Sequence, residues 1–372
     1  MRMATVQLDH VCRKFGKAEV IRDVSFKTGE GEFWFILGPS GAGKTTIMNL
    51  ISGITPLTSG NIYIGDTLVN DLKPRERNVA IAFESYALYP DRTAYSNIRF
   101  PLDAPIRKQE MSEKEKDARV REIAGLLQIG ELLDRYPREL SGGQRQRVAL
   151  GRTLVRRPNV FLLDEPIAHL DAKLRHQMRG ELKRLQRQLG IPVLCSSPDQ
   201  SEAVAMADTI VMLNKGRVEQ IGKSDELYFH PRNEFVALML GEPKMSIIDV
   251  ELEEREGTLW VVNPDLRLKA PASFQRALRG RPLPKWLHLG LRHSDLQVHE
   301  SASKDEYLEF TVDFFQINGE EVRISAKRGA TKVVVEVPNG KGRRWEIGAP
   351  IWLKWSSENS YAFDRDSGLS LL

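Results

Sequence analysis

FWFILGPSGAGKTTIMNLI, Phe33 to Ile51, is the stretch that decides how this chain folds. FWFIL is short and uniformly apolar, as a buried strand is, and a helix is expected from Gly43 through Ile51. The loop between them, GPSGAGKTT, therefore joins a strand to a helix, the setting in which a glycine-rich loop cradles phosphate. Its glycines allow backbone N–H groups to turn into one concavity, and the helix N-terminus adds partial positive charge. Gly38, Pro39, Ser40, Gly41, Ala42, Gly43, Lys44, Thr45 and Thr46 are read as a triphosphate cradle. Lys44 is expected to neutralise the β and γ phosphates and Thr45 to ligate Mg²⁺.

Working outward, VQL, VSF and FWFIL, between Val6 and Leu37, alternate like strands, and GNIYIG returns to strand at Gly60 to Gly65. VFLLD (Val160 to Asp164) and PVLCSS (Pro192 to Ser197) are apolar and separated by helix, which predicts buried parallel strands in an α/β layer. Ser112 and Glu115 have capping-box spacing ahead of a helix with Val120, Ile123, Leu126 and Leu127 on one face, which Gly130 is expected to end. Another amphipathic helix carries Leu174, Met178, Leu182, Leu185 and Leu189 and stops at Gly190. Beyond Gly241 to Lys244 the pattern turns β-rich in TLWVV, LHLGL, EFTVDFF, VRIS, KVVVEV and IWLKW. Two domains follow from this: residues 1–241, with a helical subdomain at about 87–158, and a small barrel or sandwich at 242–372.

FLLDEP ends an apolar strand in two carboxylates, so Asp164 is expected to hold the Mg²⁺ shell and Glu165 to polarise a water. The 54 Lys and Arg against 50 Asp and Glu leave a net charge of +4, too small to argue for a nucleic-acid partner. KPRER (Lys73 to Arg77) and KGRR (Lys341 to Arg344) are expected to be solvated loops. Cys12 and Cys195 form no disulfide framework or metal spacing, which fits a reducing cytoplasm. No signal-peptide pattern opens the chain and no apolar run is long enough to span a bilayer, so any membrane role is expected to be peripheral.

LSGGQRQRVALGRTL, from Leu140, precedes the acidic pair, and with LSGGQ, the phosphate loop and Asp164-Glu165 in this order the chain resembles the nucleotide-binding subunits of ABC transporters. ESYALYP, DEPIAHLDAKLR, FVALMLGEPKM and LGLR narrow the resemblance to the ATPases of carbohydrate importers of the maltose type. It implies an α/β P-loop domain with a helical subdomain and an all-β, oligonucleotide-binding-like (TOBE/MOP) tail for dimerisation and regulation. After Arg292, however, the usual proline and glutamate are His293 and Ser294. It implies ATP and Mg²⁺ as cofactors, with Ser141, Gly142, Gly143 and Gln144 closing in trans over the nucleotide of an opposite subunit and Asp171 at the seam. Phe15 matches the aromatic that stacks on adenine, although an aromatic packed in a strand core is the alternative. Implied partners are two transmembrane permease subunits, whose coupling helix would be received by a groove walled by Ala87 to Leu102, a second ATPase subunit and, indirectly, an extracytoplasmic solute-binding protein. The implied location is the cytoplasmic face of the cell membrane.

Two positions depart from the family. Glu84 stands where a glutamine is usual, and Pro198 stands where a histidine is usual; SYALYP and DQSEAVAMAD fix the register at both. Glu84 keeps an oxygen for Mg²⁺ but loses an amide donor and brings a charge, worth about 4 kcal/mol of repulsion at ~4 Å and an effective dielectric near 20 before Mg²⁺ offsets it. Pro198 has no donor, and losing one preorganised donor slows chemistry by around 10² to 10³. Locally, Pro198 suits the first position of a helix. The double change reads as the degenerate half of a heterodimer with a paralogue, as a slow homodimer in which Ser197 or Gln200 compensates, or as a non-hydrolysing regulatory form. Glu165, often lost from degenerate sites, is retained. A soluble ABC protein acting on ribosomes or DNA is the alternative of another class, but one cassette with a β-rich tail favours transport.

Overall fold

The computed structural model describes residues 5–83, 87–104, 111–278, 284–299, 308–340, 345–355 and 360–372. Glu84 and the KGRR run lie outside the described residues. Two compact units divide the chain, up to Ser224 and from Asp225.

The first unit is built on a six-stranded sheet in which Phe33–Leu37 lies between the parallel strands Val193–Ser197 and Thr209–Asn214. Val160–Asp164 and Val79–Ala82 continue the parallel run, and Arg217–Gly222 closes the far edge antiparallel. The Phe33–Leu37, Val160–Asp164 and Val193–Ser197 strands are buried at every residue, which is why their sequences are apolar throughout rather than alternating. An antiparallel sheet formed by Val6–Phe15, Ala18–Lys27, Ser59–Ile64 and Thr67–Leu68 faces this layer. Between the two sits the helix Lys44–Ser52, whose Ile47, Met48, Leu50 and Ile51 share one core with Val6, Leu8, Ile36, Leu162 and Leu194.

Local signals set the helix boundaries. The Ser112–Glu115 capping box forms at the start of Glu113–Leu126, and Asp171 and a left-handed Gly190 bracket Ala172–Leu189. Gly130 does not end the first of these: the helix stops at Leu126 and the left-handed residue is Gln128 (φ 53°). Nor is KPRER wholly solvated. The buried guanidinium of Arg77 donates to Leu50 O (2.8 Å) and Ile51 O (3.0 Å), satisfying carbonyls that the Lys44–Ser52 helix leaves open at its end.

The second unit contains two five-stranded antiparallel sheets that share a core including Val250, Leu289, Ile324 and Val335. It begins before the expected boundary at 241: all but the first residue of the helix Ser224–Phe229, and the whole of Glu234–Met239, belong to it. Arg292, which is buried, donates to Tyr228 O (2.7 Å) and Leu240 O (2.8 Å) and stacks on the Tyr228 ring. Glu234 also reaches His288 Nδ1 at 2.6 Å. These ties hold the two short helices to the tail rather than to the preceding unit.

Candidate functional site

The loop from Gly38 to Gly43 leaves the edge of the buried strand and turns through two left-handed glycines, Gly41 (φ 80°) and Gly43 (φ 107°), before the helix starts at Lys44. A side chain at Gly38 would lie 2.2 Å from Leu213 O, and one at Gly43 would lie 2.7 Å from Ile21 Cδ1. Close approach at one position and positive φ at the other thus require glycine. Pro39, Ser40, Gly41 and Thr45 are exposed, Gly43 and Thr46 are partly so, and Ala42 is buried. This sets a partly exposed glycine-rich loop at a helix N-terminus, a setting that can hold an anion.

Lys44 is only 5% exposed. Its ammonium donates to Gly38 O (3.0 Å) and Pro39 O (3.1 Å) and lies 3.8 Å from Glu165 Oε1. The phosphate loop and Glu165 therefore meet at one side chain. Glu165 is held with φ 47°, a left-handed conformation that costs a non-glycine residue about 1–3 kcal/mol, and its N–H donates to Ser196 O. Its neighbour Asp164 is buried and accepts a short hydrogen bond from the Ser196 hydroxyl across the paired strands. Sequence reading missed Ser196, whose signal would have been its register opposite Asp164.

The other expected residues fall into separate groups. Ser141 caps the helix Gly142–Leu154, with its hydroxyl accepting from Gln144 N–H while the Gln144 side chain accepts from Ser141 N–H, so that Gly142 and Gly143 open a helix start. The Gln146 amide in the same helix donates to Pro166 O (2.7 Å), tying the signature segment to the loop after Glu165. Asp171 caps the next helix through Leu174 N–H (2.9 Å). Phe15 is 48% exposed beneath the Arg13 guanidinium at 4.3 Å, so the strand-core alternative is set aside.

Pro198 is exposed in a bend between the strand end at Ser197 and the helix cap at Asp199; the helix itself starts at Gln200. It lies ahead of the cap rather than at the first helical position. Ser197 is 2% exposed, accepts from Asp199 N–H (3.1 Å) and bonds the Glu202 carboxyl. Its hydroxyl is therefore turned inward and is a poor substitute for a donor at position 198.

A family model described as ABC transporter matches residues 21–168. The chain is 40% identical over 354 residues to the maltose/maltodextrin import ATP-binding protein MalK of Vibrio vulnificus, covering 94% of this chain and 93% of that protein. The chain belongs to the ABC transporter family. Another relative is the trehalose/maltose import ATP-binding protein MalK of Thermococcus litoralis, 50% identical over 258 residues and 68% of each chain. The sn-glycerol-3-phosphate import ATP-binding protein UgpC of Ralstonia nicotianae is 42% identical over 295 residues, 79% of this chain and 80% of that one. Among solved structures, a dimeric ATP-binding cassette in a post-hydrolysis state bound to ADP and Pi matches with a TM-score of 0.54 and 32% identity, covering 59% of this chain and 98% of that one. As a member of the ABC family the chain is an ATP-binding ATPase subunit. Its tail carries the all-β sheet region that the resemblance implied.

Among the described residues of this ABC chain, no three His, Cys, Asp or Glu side chains are grouped to hold a metal. Mg²⁺ keeps several waters and binds through one or two protein oxygens together with substrate phosphates. Thr45, exposed on the first turn of the loop's helix, and Asp164, at the end of its strand, are the residues that could offer such oxygens. Among the described residues, no helix is long and apolar enough to cross a membrane. A groove of about 760 Å³ is lined by Ile54, Tyr89, Phe100, Pro101, Arg152 and others. Arg152 braces it, stacking on Tyr89 and donating to Ala87 O (2.8 Å).

Proposed function

We propose that this chain is the ATP-binding subunit of a solute importer, peripheral on the cytoplasmic face of the membrane, whose own site binds MgATP firmly and hydrolyses it poorly. The solute is a carbohydrate or glycerol-phosphate, the class printed in the names of its relatives. Phe15 stacks on the adenine, the Gly38–Thr46 loop and Lys44 hold the phosphates, and Thr45, Asp164 and Glu84 hold Mg²⁺, which offsets phosphate charge. Glu165, 3.8 Å from Lys44, orients the attacking water. Ser141, Gly142, Gly143 and Gln144, with Asp171 beside them, close over the nucleotide of the opposite subunit. The groove beside Tyr89 and Phe100 receives a permease subunit, and two such permeases connect the ATPase pair to a solute-binding protein outside.

The observation that carries the poor-hydrolysis reading is the bend at position 198. Proline supplies no donor there, and the adjacent serine is committed inward to Asp199 and Glu202. Because each composite site borrows its signature segment from the other subunit, this chain can complete a competent site on a paralogue carrying the usual glutamine and histidine. A slow homodimer is the second reading, favoured by Glu165, which still meets Lys44. Native purification with subunit counting tests the pairing: one copy beside a paralogue supports the heterodimer, and two copies of this chain refute it.

A further inference from the structure

The bend at Pro198 is propped from beneath by a carboxyl group to which the proposed reaction gives no role. Glu202 lies in the first turn of the helix Gln200–Met206 and faces inward with Ala203 and Met206, 2% exposed. One of its oxygens is engaged by Ser197, while Oε2 is buried with no hydrogen-bond partner. Ser196, the residue before Ser197, holds Asp164. A single strand end thus connects Glu202 on one side to the reaction centre on the other.

The groups facing Glu202 do not supply a matched counter-ion. Arg175 and Arg179, on the helix Ala172–Leu189, direct their guanidinium groups toward Asp199, at 3.8 and 3.6 Å. Asp199 is itself a negative neighbour, and the thiol facing Glu202 from the strand is that of the fully buried Cys195. A buried carboxylate with an unsatisfied oxygen costs far more than the neutral acid in the same place.

We propose that Glu202 is a positioning residue for ATP turnover, whose buried, half-satisfied carboxyl braces the Ser197–Pro198 bend against the nucleotide site. The proposal rests on the reading of this chain as an ATPase. Burial raises the carboxyl's pKa above its usual range; the Ser197 hydrogen bond opposes the rise, Asp199 adds to it, and Arg179 and Arg175 oppose it. With the folded value above the unfolded one, the folded state binds the extra proton between the two. Stability and turnover therefore fall as pH rises through that window.

The full-length chain and two variants, Glu202→Gln and Glu202→Ala, test this through thermal midpoint, kcat and affinity for a fluorescent ATP analogue between about pH 5 and 9. Glu202→Gln mimics the neutral acid but cannot ionise. It is expected to match the parent at the acidic end and to lose the parent's decline toward the alkaline end. Made in the Pro198→His background, whose restored turnover leaves room to read a loss, Glu202→Ala is expected to lower kcat at least ~10-fold while the analogue's affinity stays within about twofold, a kcat effect without a binding effect. The proposal is overturned if Glu202→Gln lowers kcat as far as Glu202→Ala, or if its midpoint follows the same pH profile as the parent's. Absence of binding and turnover in the parent would defeat the ATPase reading instead, and the midpoints against pH would still decide whether Glu202 carries a proton.

Discussion

Substituting histidine for Pro198 puts the missing donor back where the strand ends. The position is exposed, lies between Ser197 and the helix cap Asp199, and is outside the helix that begins at Gln200, so the change removes no buried packing. Releasing the fixed proline φ costs about 0.4–1 kcal/mol through the unfolded chain. An imidazole N–H aimed at the γ-phosphate is worth roughly 10² to 10³ in the chemical step, or ~2.7–4 kcal/mol. Turnover should therefore rise by about two orders of magnitude if position 198 alone is limiting. The rise should be smaller if Glu84 also limits, since like charges ~4 Å apart repel by about 4 kcal/mol at an effective dielectric near 20 before a cation offsets it. The assay is phosphate release at saturating MgATP by purified full-length protein, with Glu165→Gln as the background control. If Pro198→His and the double variant with Glu84→Gln both stay within about twofold of the parent while binding nucleotide normally, donor loss is not what limits this site.

The remaining expectations concern binding and the tail. Phe15→Ala should weaken a fluorescent ATP analogue by ~5- to 100-fold, from about 1–3 kcal/mol of base stacking, and leave the thermal midpoint unchanged because the ring is already half exposed. Lys44→Ala should cost ~10- to 100-fold in the same titration, the equivalent of one charge-assisted hydrogen bond of about 1.5–3 kcal/mol. Arg292→Met strips the donors from Tyr228 O and Leu240 O, each a loss of about 1–3 kcal/mol if left unpaired. It should lower the tail's unfolding midpoint in calorimetry without weakening nucleotide binding.

The phosphate loop was legible because its requirements are local: a strand, glycines able to take positive φ, and a helix that opens at a lysine. The same holds for the Ser112–Glu115 capping box and for the buried stripe of Met178, Leu182 and Leu185, which follow from spacing along one helix. What escaped depends on neighbours distant in sequence. Arg77 looks like one more surface charge until the end of the Lys44–Ser52 helix is laid over it. Ser224–Phe229 and Glu234–Met239 look like the end of the first domain because nothing in their own residues announces Arg292. Nothing in the local spacing around Glu202 marks it as buried. Asp199 caps the helix through Ser201 N–H, and the glutamate turns inward to Ser197. For Phe15 the residue type alone left two readings open, and exposure on the folded chain decided against the core.

The account depends most on binding without efficient cleavage, and the direct measurement is ATP affinity and steady-state turnover on one preparation of the isolated chain, beside its Glu165→Gln variant. The expected result is saturable MgATP binding with phosphate release barely above that control. Rapid release by the isolated chain that disappears in Glu165→Gln would contradict it.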